Sequence, residues 1–249
     1  MIKAAVVVVG SELLRGVVPD TNSHWLASRL TELGFEVVRI VVVPDDYESV
    51  EWAVRSSLEI ADVVVTTGGL GFTEDDITVP AVARALGLEL QLSQEAVEYI
   101  RRRVGGEPTY QLKAAYVPKG GKPLYNPAGV SPGVYLRIGG KHVFMLPGVP
   151  LELKAVFENE VVQILETIPG RRYVKRVEVL TLHEREAEVD HLLKPLREKF
   201  RNAYFKTHAS KPVKLSIIVV ASTQSELENL LGKVLEDLKQ SIRVQSVEL

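Results

Sequence analysis

The stretch Thr66-Thr67-Gly68-Gly69-Leu70-Gly71-Phe72-Thr73-Glu74-Asp75-Asp76 concentrates the residue types that could do chemistry. It follows the strand-like run Asp62-Val63-Val64-Val65, so the turn opens where a buried parallel strand would end. Gly68, Gly69 and Gly71 lack the Cβ that would keep an anion away, and their N–H groups can turn toward a phosphate. Two carboxylates, Asp75 and Asp76, follow at once. Acid beside an anion site is coherent chemistry when a divalent cation lies between them. A phosphorylated ligand carried with a metal is therefore the first expectation. No Gly-Lys-Ser/Thr follows, so the loop is not a P-loop, and Gly-Gly-x-Gly does not match the dinucleotide-binding spacing. The structural alternative is a plain strand-to-helix turn whose acids favour a helix start, with Asp76 as cap and Asp75 left as ligand.

Positioning these groups requires elements that end at one edge. Ile2–Val9 reads as a strand buried on both faces, and Trp25, Leu26, Leu30 and Leu33 space a helix entered at Asp20-Thr21-Asn22. Phe35–Val43 and Asp62–Thr66 are further strands, with a helix over Tyr47–Ile60 between them. Thr78–Leu86 and Ser93–Val104 read as helices, and the Gly/Pro-rich segment 105–140 as an antiparallel excursion at a sheet edge. Lys141–Leu146 is a strand, followed by a helix from Pro150 to about Thr167. This alternation implies a doubly wound, mostly parallel α/β sheet over residues 1–168. Past Ile168-Pro169-Gly170 the order becomes strand 173–182, helix 184–200, strands 203–207 and 213–221, and helix 223–242. That order predicts a small α+β domain over 171–249, ferredoxin-like or KH-like. Thr181 with Glu184, and Thr223 with Glu226, have capping-box spacing.

Ligands of doubly wound folds bind beyond the carboxyl ends of the strands. Four segments fall there: Gly10-Ser11-Glu12, Val43-Pro44-Asp45-Asp46, the Gly-rich loop, and Leu146-Pro147-Gly148-Val149-Pro150-Leu151-Glu152. Glu12 and Asp45 could instead be solvated helix-start acids. A helix start after Pro147-Gly148 would offer N–H groups to an anion.

Composition narrows the classes. Lys and Arg total 30 against 32 Asp and Glu, a net charge of −2 that argues against a general nucleic-acid coat. The chain has no cysteine, which excludes thiol chemistry and fits a cytoplasmic protein. No run approaches the roughly 18 apolar residues of a membrane span, and the apolar start reads as a strand rather than a secretion signal. The five histidines show no metal-ligand spacing and read as surface residues. Ser11 lacks a Gly-x-Ser-x-Gly elbow, and Arg101-Arg102-Arg103 reads as a solvated helix end.

Gly10-Ser11-Glu12-Leu13-Leu14-Arg15-Gly16, Asp20-Thr21-Asn22, Thr66–Gly71, Thr73, Asp75-Asp76-Ile77-Thr78, Asn126-x-x-Gly129-x-Ser131-Pro132-Gly133 and Leu146–Pro150 with Glu152 resemble the CinA family. The N-terminal domain of that family belongs to the molybdopterin-binding, MoaB/MogA-like superfamily. The resemblance spans about residues 1–168, and the segment after it resembles the KH-like domain of CinA proteins. A clear Gly-x-x-Gly loop is missing there, which weighs against RNA binding. The chain ends at Leu249, so the deamidase domain that many CinA proteins carry is not expected. Ser11 stands where the family commonly has Thr.

The resemblance implies a metal-dependent hydrolase of the diphosphate in ADP-ribose or a related dinucleotide. The alternatives are a molybdopterin-binding or adenylating protein of molybdenum cofactor biosynthesis, and a non-enzymatic nucleotide- or RNA-binding module. For the first, Gly68, Gly69 and Gly71 would hold the diphosphate, with hydroxyl donors from Thr67 and Thr73. Gly10, Ser11, Asn22, Pro147, Gly148 and Glu152 would line the ligand. Asp75 and Asp45 would hold Mg²⁺, Mn²⁺ or Co²⁺, and Asp75, Asp76 and Glu12 would serve the chemistry. Relatives imply a homo-oligomer, dimer or trimer.

Overall fold

The computed structural model describes residues 1–248. Contacts divide the chain into two compact units, one built by Ile2–Leu30 with Phe35–Pro169, the other by Thr31–Gly34 with Gly170 onward. The first runs β1 (Lys3–Val9), α1 (Ser11–Leu14), α2 (Asn22–Glu32), β2 (Glu36–Val43), α3 (Tyr47–Ile60), β3 (Val63–Thr67), α4 (Thr78–Ala85), β4 (Leu90–Leu92) and α5 (Gln94–Val104). A 3₁₀ turn over Tyr110–Ala115 leads to β5 (Tyr116–Pro118), β6 (Lys122–Leu124), β7 (Gly133–Ile138) and β8 (Lys141–Leu146). The run closes with α6 (Pro150–Val156), a π-helical turn over Phe157–Val161 and α7 (Val162–Glu166).

The main sheet has the order β2-β1-β3-β8-β7-β6. β1 pairs in parallel with both β2 and β3, and β3 in parallel with β8, while β7 and β6 are antiparallel. Every residue from Ala4 to Val9 is buried. Successive strand side chains point to opposite faces, so a run buried without interruption is covered on both. Ala5, Val7 and Val9 pack with Val50, Val54, Ala81 and Val82 of α3 and α4 on one face. The parallel, doubly wound sheet is thus the reason the β-branched runs lack polar alternation.

Register places four strand ends at one edge. Val8 of β1 stands opposite Thr67, Val9 opposite Val43, and Thr67 opposite Leu146. The chain leaves β1 toward β2 on one side and reaches β3 on the other, so the order reverses between β1 and β3. The loops after those two strands flank this switch point, where α/β sheets bind ligands.

The second unit runs β9 (Tyr173–Thr181), α8 (Glu186–Leu192), α9 (Lys194–Lys199), β10 (Ala203–His208), β11 (Lys214–Ala221), α10 (Gln224–Ser241) and β12 (Val244–Glu248). Its sheet, β10-β11-β9-β12, is antiparallel throughout and buries Val177, Val179, Leu215, Ile217 and Val219 against helical Val189, Val234 and Leu238. The single helix expected over 184–200 is two helices. Pro195 at the start of α9 has no N–H to continue α8, which makes the break. Thr181 does not form the expected capping box: its hydroxyl donates to Val213 O at 2.9 Å and accepts from His183 N at 3.1 Å. Thr223 does cap α10, accepting from Glu226 N at 3.1 Å.

Two histidines expected at the surface are buried. His183 Nδ1 lies 2.9 Å from Glu188 Oε1, while its Nε2 accepts from Arg243 N at 3.2 Å. His142 Nδ1 lies 2.9 Å from the Tyr135 hydroxyl, and burial holds its imidazole below the ordinary value. Among the described residues no helix is long and apolar enough to cross a membrane.

Leu26 is fully buried on α2, whereas Leu151 on α6 is 71% exposed. In urea unfolding, Leu26→Ala should cost about 2–5 kcal/mol and Leu151→Ala less than about 0.5 kcal/mol. Equal costs would contradict the core assignment.

Candidate functional site

A cavity of about 830 Å³ opens at the carboxyl edge of β1, β3 and β8. Its Gly-rich wall is set by close backbone approaches. Gly68 has φ +98°, and a Cβ there would stand 2.1 Å from Val9 O. Its N–H donates to Leu146 O at 3.1 Å, which continues the β3–β8 pairing by one residue. Gly148 packs against Gly68, its hypothetical Cβ 3.1 Å from Gly68 Cα. Thr78, at the start of α4, ties the turn down: its hydroxyl donates to Gly68 O at 2.7 Å and its N–H to Gly69 O at 3.1 Å.

After these bonds, the N–H groups of Gly69, Leu70 and Gly71 have no partner among the described residues. All three residues line the cavity. The Gly68 N–H, expected to face an anion, is instead a sheet bond.

The two threonines are likewise structural. The Thr67 hydroxyl donates to Pro147 O at 2.9 Å and accepts from Asn22 Nδ2 at 3.2 Å. Thr73 donates both its N–H, at 2.8 Å, and its hydroxyl, at 2.7 Å, to Asp76 Oδ2. Neither hydroxyl is left to a ligand. Asp76 therefore folds the loop tip rather than capping α4, whose N-cap position is Ile77 and makes no side-chain cap bond. Lys113 donates to Thr73 O, and the Phe72 and Tyr110 rings meet edge to face at 5.9 Å, so the 3₁₀ turn holds the same tip.

The acids divide by what they already hold. Asp46 caps α3, accepting from Ser49 N at 2.9 Å, and that bond holds its carboxyl below the usual value. Asp45 turns the other way: its Oδ2 accepts from Ser11 N at 2.7 Å, and its N–H donates to Ser11 Oγ at 3.2 Å. This reciprocal pair joins the loops after β1 and β2. Glu12 and Asp75 are exposed, and neither side chain bonds to a described residue.

Glu12, Asp20, Asp45, Asp75, Asp76 and Glu152 all line the cavity, and no Lys, Arg or His does. Asn22, Thr67, Pro147 and Gly148 line it too, along with all three loop glycines. Gly10, Ser11 and Thr73 are not part of its lining. Gly10 N donates to Val43 O at 3.0 Å, a structural bond between strand ends.

The far wall comes from the 126–133 loop. Asn126 is fully buried; its Nδ2 donates to Ser131 O at 2.7 Å and to Glu152 Oε2 at 2.8 Å, and its Oδ1 accepts from Ala128 N at 3.1 Å. The Tyr99 hydroxyl bonds Asn126 O and sits 2.9 Å from Gly129 O; burial pushes its phenol up, so it remains a donor at neutral pH. Arg103, exposed in the last turn of α5 as expected, also donates to Gly129 O at 2.9 Å and so anchors the loop. Arg101 and Arg102 pair with Glu98 at the surface. The anchoring roles of Tyr99 and Arg103 carried no sequence signal, because each acts on carbonyls more than twenty residues away.

Among the described residues no three His, Asp or Glu side chains come close enough to hold a metal ion on their own. The donor set suits a Mg²⁺-like ion only where a ligand's phosphates complete it, since that ion typically takes one or two carboxylates, waters and phosphate oxygens.

The family described as "Probable molybdopterin binding domain" matches residues 5–167. A protein of Caldivirga maquilingensis is 40% identical over 98% of this chain and 98% of its own length. A CinA-like protein of Thermosipho melanesiensis is 34% identical over the whole of this chain, which spans 62% of that protein. The crystal structure of CinA from Thermoplasma acidophilum, a protein of unknown function, superposes with TM-score 0.63 at 38% identity, over 65% of this chain and 97% of that one. The fold is that of a molybdopterin-binding-type domain, and the chain belongs to the CinA family.

Gly87 also has positive φ, +66°, but open space around it. Gly87→Ala should cost about 1 kcal/mol, and Gly68→Ala about 1–3 kcal/mol more from overpacking against Val9. Urea midpoints measure the difference; equal costs would deny the close approach.

Proposed function

We propose that the chain is a metal-dependent nucleotide pyrophosphatase that hydrolyses the diphosphate of ADP-ribose or a related dinucleotide. The observation that carries this reading is the pairing of three unengaged amides, Gly69, Leu70 and Gly71, with a wall of six carboxylates and no base. Amide donors of this kind favour phosphate oxygens. The surrounding carboxylates would repel a diphosphate unless a divalent cation accompanied it. About 830 Å³ lies within the range for small-molecule ligands and suits a dinucleotide.

In this reading the three amides orient the diphosphate at the switch point. Asp75 and the Asp45 oxygen not facing Ser11 N stand on the two flanks, where they would hold the cation together with phosphate oxygens. The cation would offset charge on the phosphates and lower the pKa of water. Glu12, exposed and unpartnered on the β1 loop, accepts the proton of the attacking water. Water adds to one phosphorus, the P–O–P bridge breaks, and ADP-ribose gives AMP and ribose 5-phosphate. Asp76 contributes by holding Thr73, so its role is to position the loop.

A second reading, molybdopterin binding in the same cavity, is favoured by the family that matches residues 5–167. Co-purification of a fluorescent pterin, with no diphosphate cleavage, would select it.

The test is AMP release from ADP-ribose with Mg²⁺, Mn²⁺ or Co²⁺. Asp75→Ala should lower kcat roughly 10²-fold, the scale of losing one charge-stabilising group. No release with any of these metals across several dinucleotides, or full activity in Asp75→Ala, would overturn the reading.

A further inference from the structure

Glu152 lines the cavity, yet a carboxylate repels phosphate and so cannot be one of its phosphate ligands. It is held in place with care. Oε2 accepts from the buried Asn126 Nδ2 at 2.8 Å. Gly129 leaves the room for that: a Cβ there would stand 2.1 Å from Oε2. Oε1 takes no hydrogen bond from the described residues.

Holding the 126–131 loop does not require Glu152. Asn126 is already fixed by Ser131 O and Ala128 N, and Tyr99 and Arg103 hold the carbonyls of Asn126 and Gly129. Glu152 is the oriented group rather than the orienting one.

A second acceptor lines the same cavity. Asn22 is 9% exposed, and its Nδ2 is committed to Thr67 Oγ and, at 2.7 Å, to Gly148 O. Its Oδ1 is buried with no partner. An acceptor left unpaired in a native interior carries a desolvation cost that a ligand's donor would remove. The unengaged amides of the Gly-rich turn thus face a ligand as donors, while Asn22 Oδ1 and Glu152 Oε1 are acceptors without a protein donor.

We propose that Glu152, with Asn22 Oδ1 beside the same cavity, reads a pair of adjacent hydrogen-bond donors on the ligand. Two chemistries present such a pair: the 2′,3′-diol of a ribose, and the N–H/NH₂ edge of a 2-amino-4-oxo base as in guanine or a pterin. A carboxylate takes either in two parallel bonds. This assignment rests on the cavity binding nucleotide-like ligands.

The experiment titrates the intact chain and Glu152→Gln, with Mg²⁺, against ADP, 2′,3′-dideoxy-ADP, GDP and 2′,3′-dideoxy-GDP by calorimetry. Gln keeps an oxygen for Asn126 but turns an amide donor toward the ligand, so the fold persists while the recognition reverses. Thermal midpoints of the two proteins check this. If the diol is read, Glu152→Gln weakens ADP about ten- to a hundredfold, the scale of hydrogen bonds to a charged group, and leaves dideoxy-ADP unchanged. If the base edge is read, dideoxy-GDP weakens by the same factor while ADP does not. Nucleotides that bind both proteins equally overturn the assignment of Glu152 alone. No binding of any of the four to the unaltered chain overturns the nucleotide reading and this assignment with it.

Discussion

The close approach of three backbone segments at Gly68 governs the site. The end of β3 passes so near the last carbonyl of β1 that a Cβ on Gly68 would stand 2.1 Å from Val9 O, and Gly148 after β8 packs on Gly68 itself. This contact brings the loops after β1, β3 and β8 to one rim. Once Gly68 has given its N–H to Leu146 and its carbonyl to Thr78, the chain turns through Gly69 at φ +67° and leaves the amides of cavity-lining Gly69, Leu70 and Gly71 without a partner among the described residues. Function at this edge follows from packing, because the glycines that permit the approach also bare the backbone.

Charge gives the site its second constraint. Six carboxylates and no base line a cavity whose donors are backbone amides. Several of the acids are held by local bonds: Asp45 by Ser11, Asp76 by Thr73, Glu152 by Asn126. The two left without partners, Glu12 and Asp75, come from loops on either side of the switch point. An electronegative wall with an anion-seeking floor suits a ligand that brings its own cation, and the polar asymmetry gives that ligand a direction.

Much of the fold was legible because buried parallel strands leave a strong trace. The helix over Tyr47–Ile60 and the strand Lys141–Leu146 match the sequence reading residue for residue, and β6 and β7 fall antiparallel at the sheet edge inside segment 105–140 as expected. As individual strands the short pieces β4, β6 and β12 escaped it, since three to five residues, nearly all exposed or half-buried, have no readable period. At the site, glycines and acids announced the edge, but not which of them were already engaged. Thr67 and Thr73 have the right chemistry for a ligand and are occupied by Pro147 and Asp76, a fact that depends on tertiary approach. The burial of His183 and the anchoring bond of Arg103 were not legible for the same reason: their partners Arg243 and Gly129 lie far along the chain.

In the proposed reading this cavity takes a diphosphate only together with a divalent cation. Calorimetric titration of the chain with ADP-ribose at 4 °C, once in EDTA and once in Mg²⁺, tests it directly. Binding should be at least about tenfold tighter with the ion, equivalent to roughly 1.4 kcal/mol, and should grow weaker in EDTA as ionic strength falls and carboxylate repulsion is less screened. Equal affinity in EDTA and Mg²⁺ would show that the diphosphate enters without a cation.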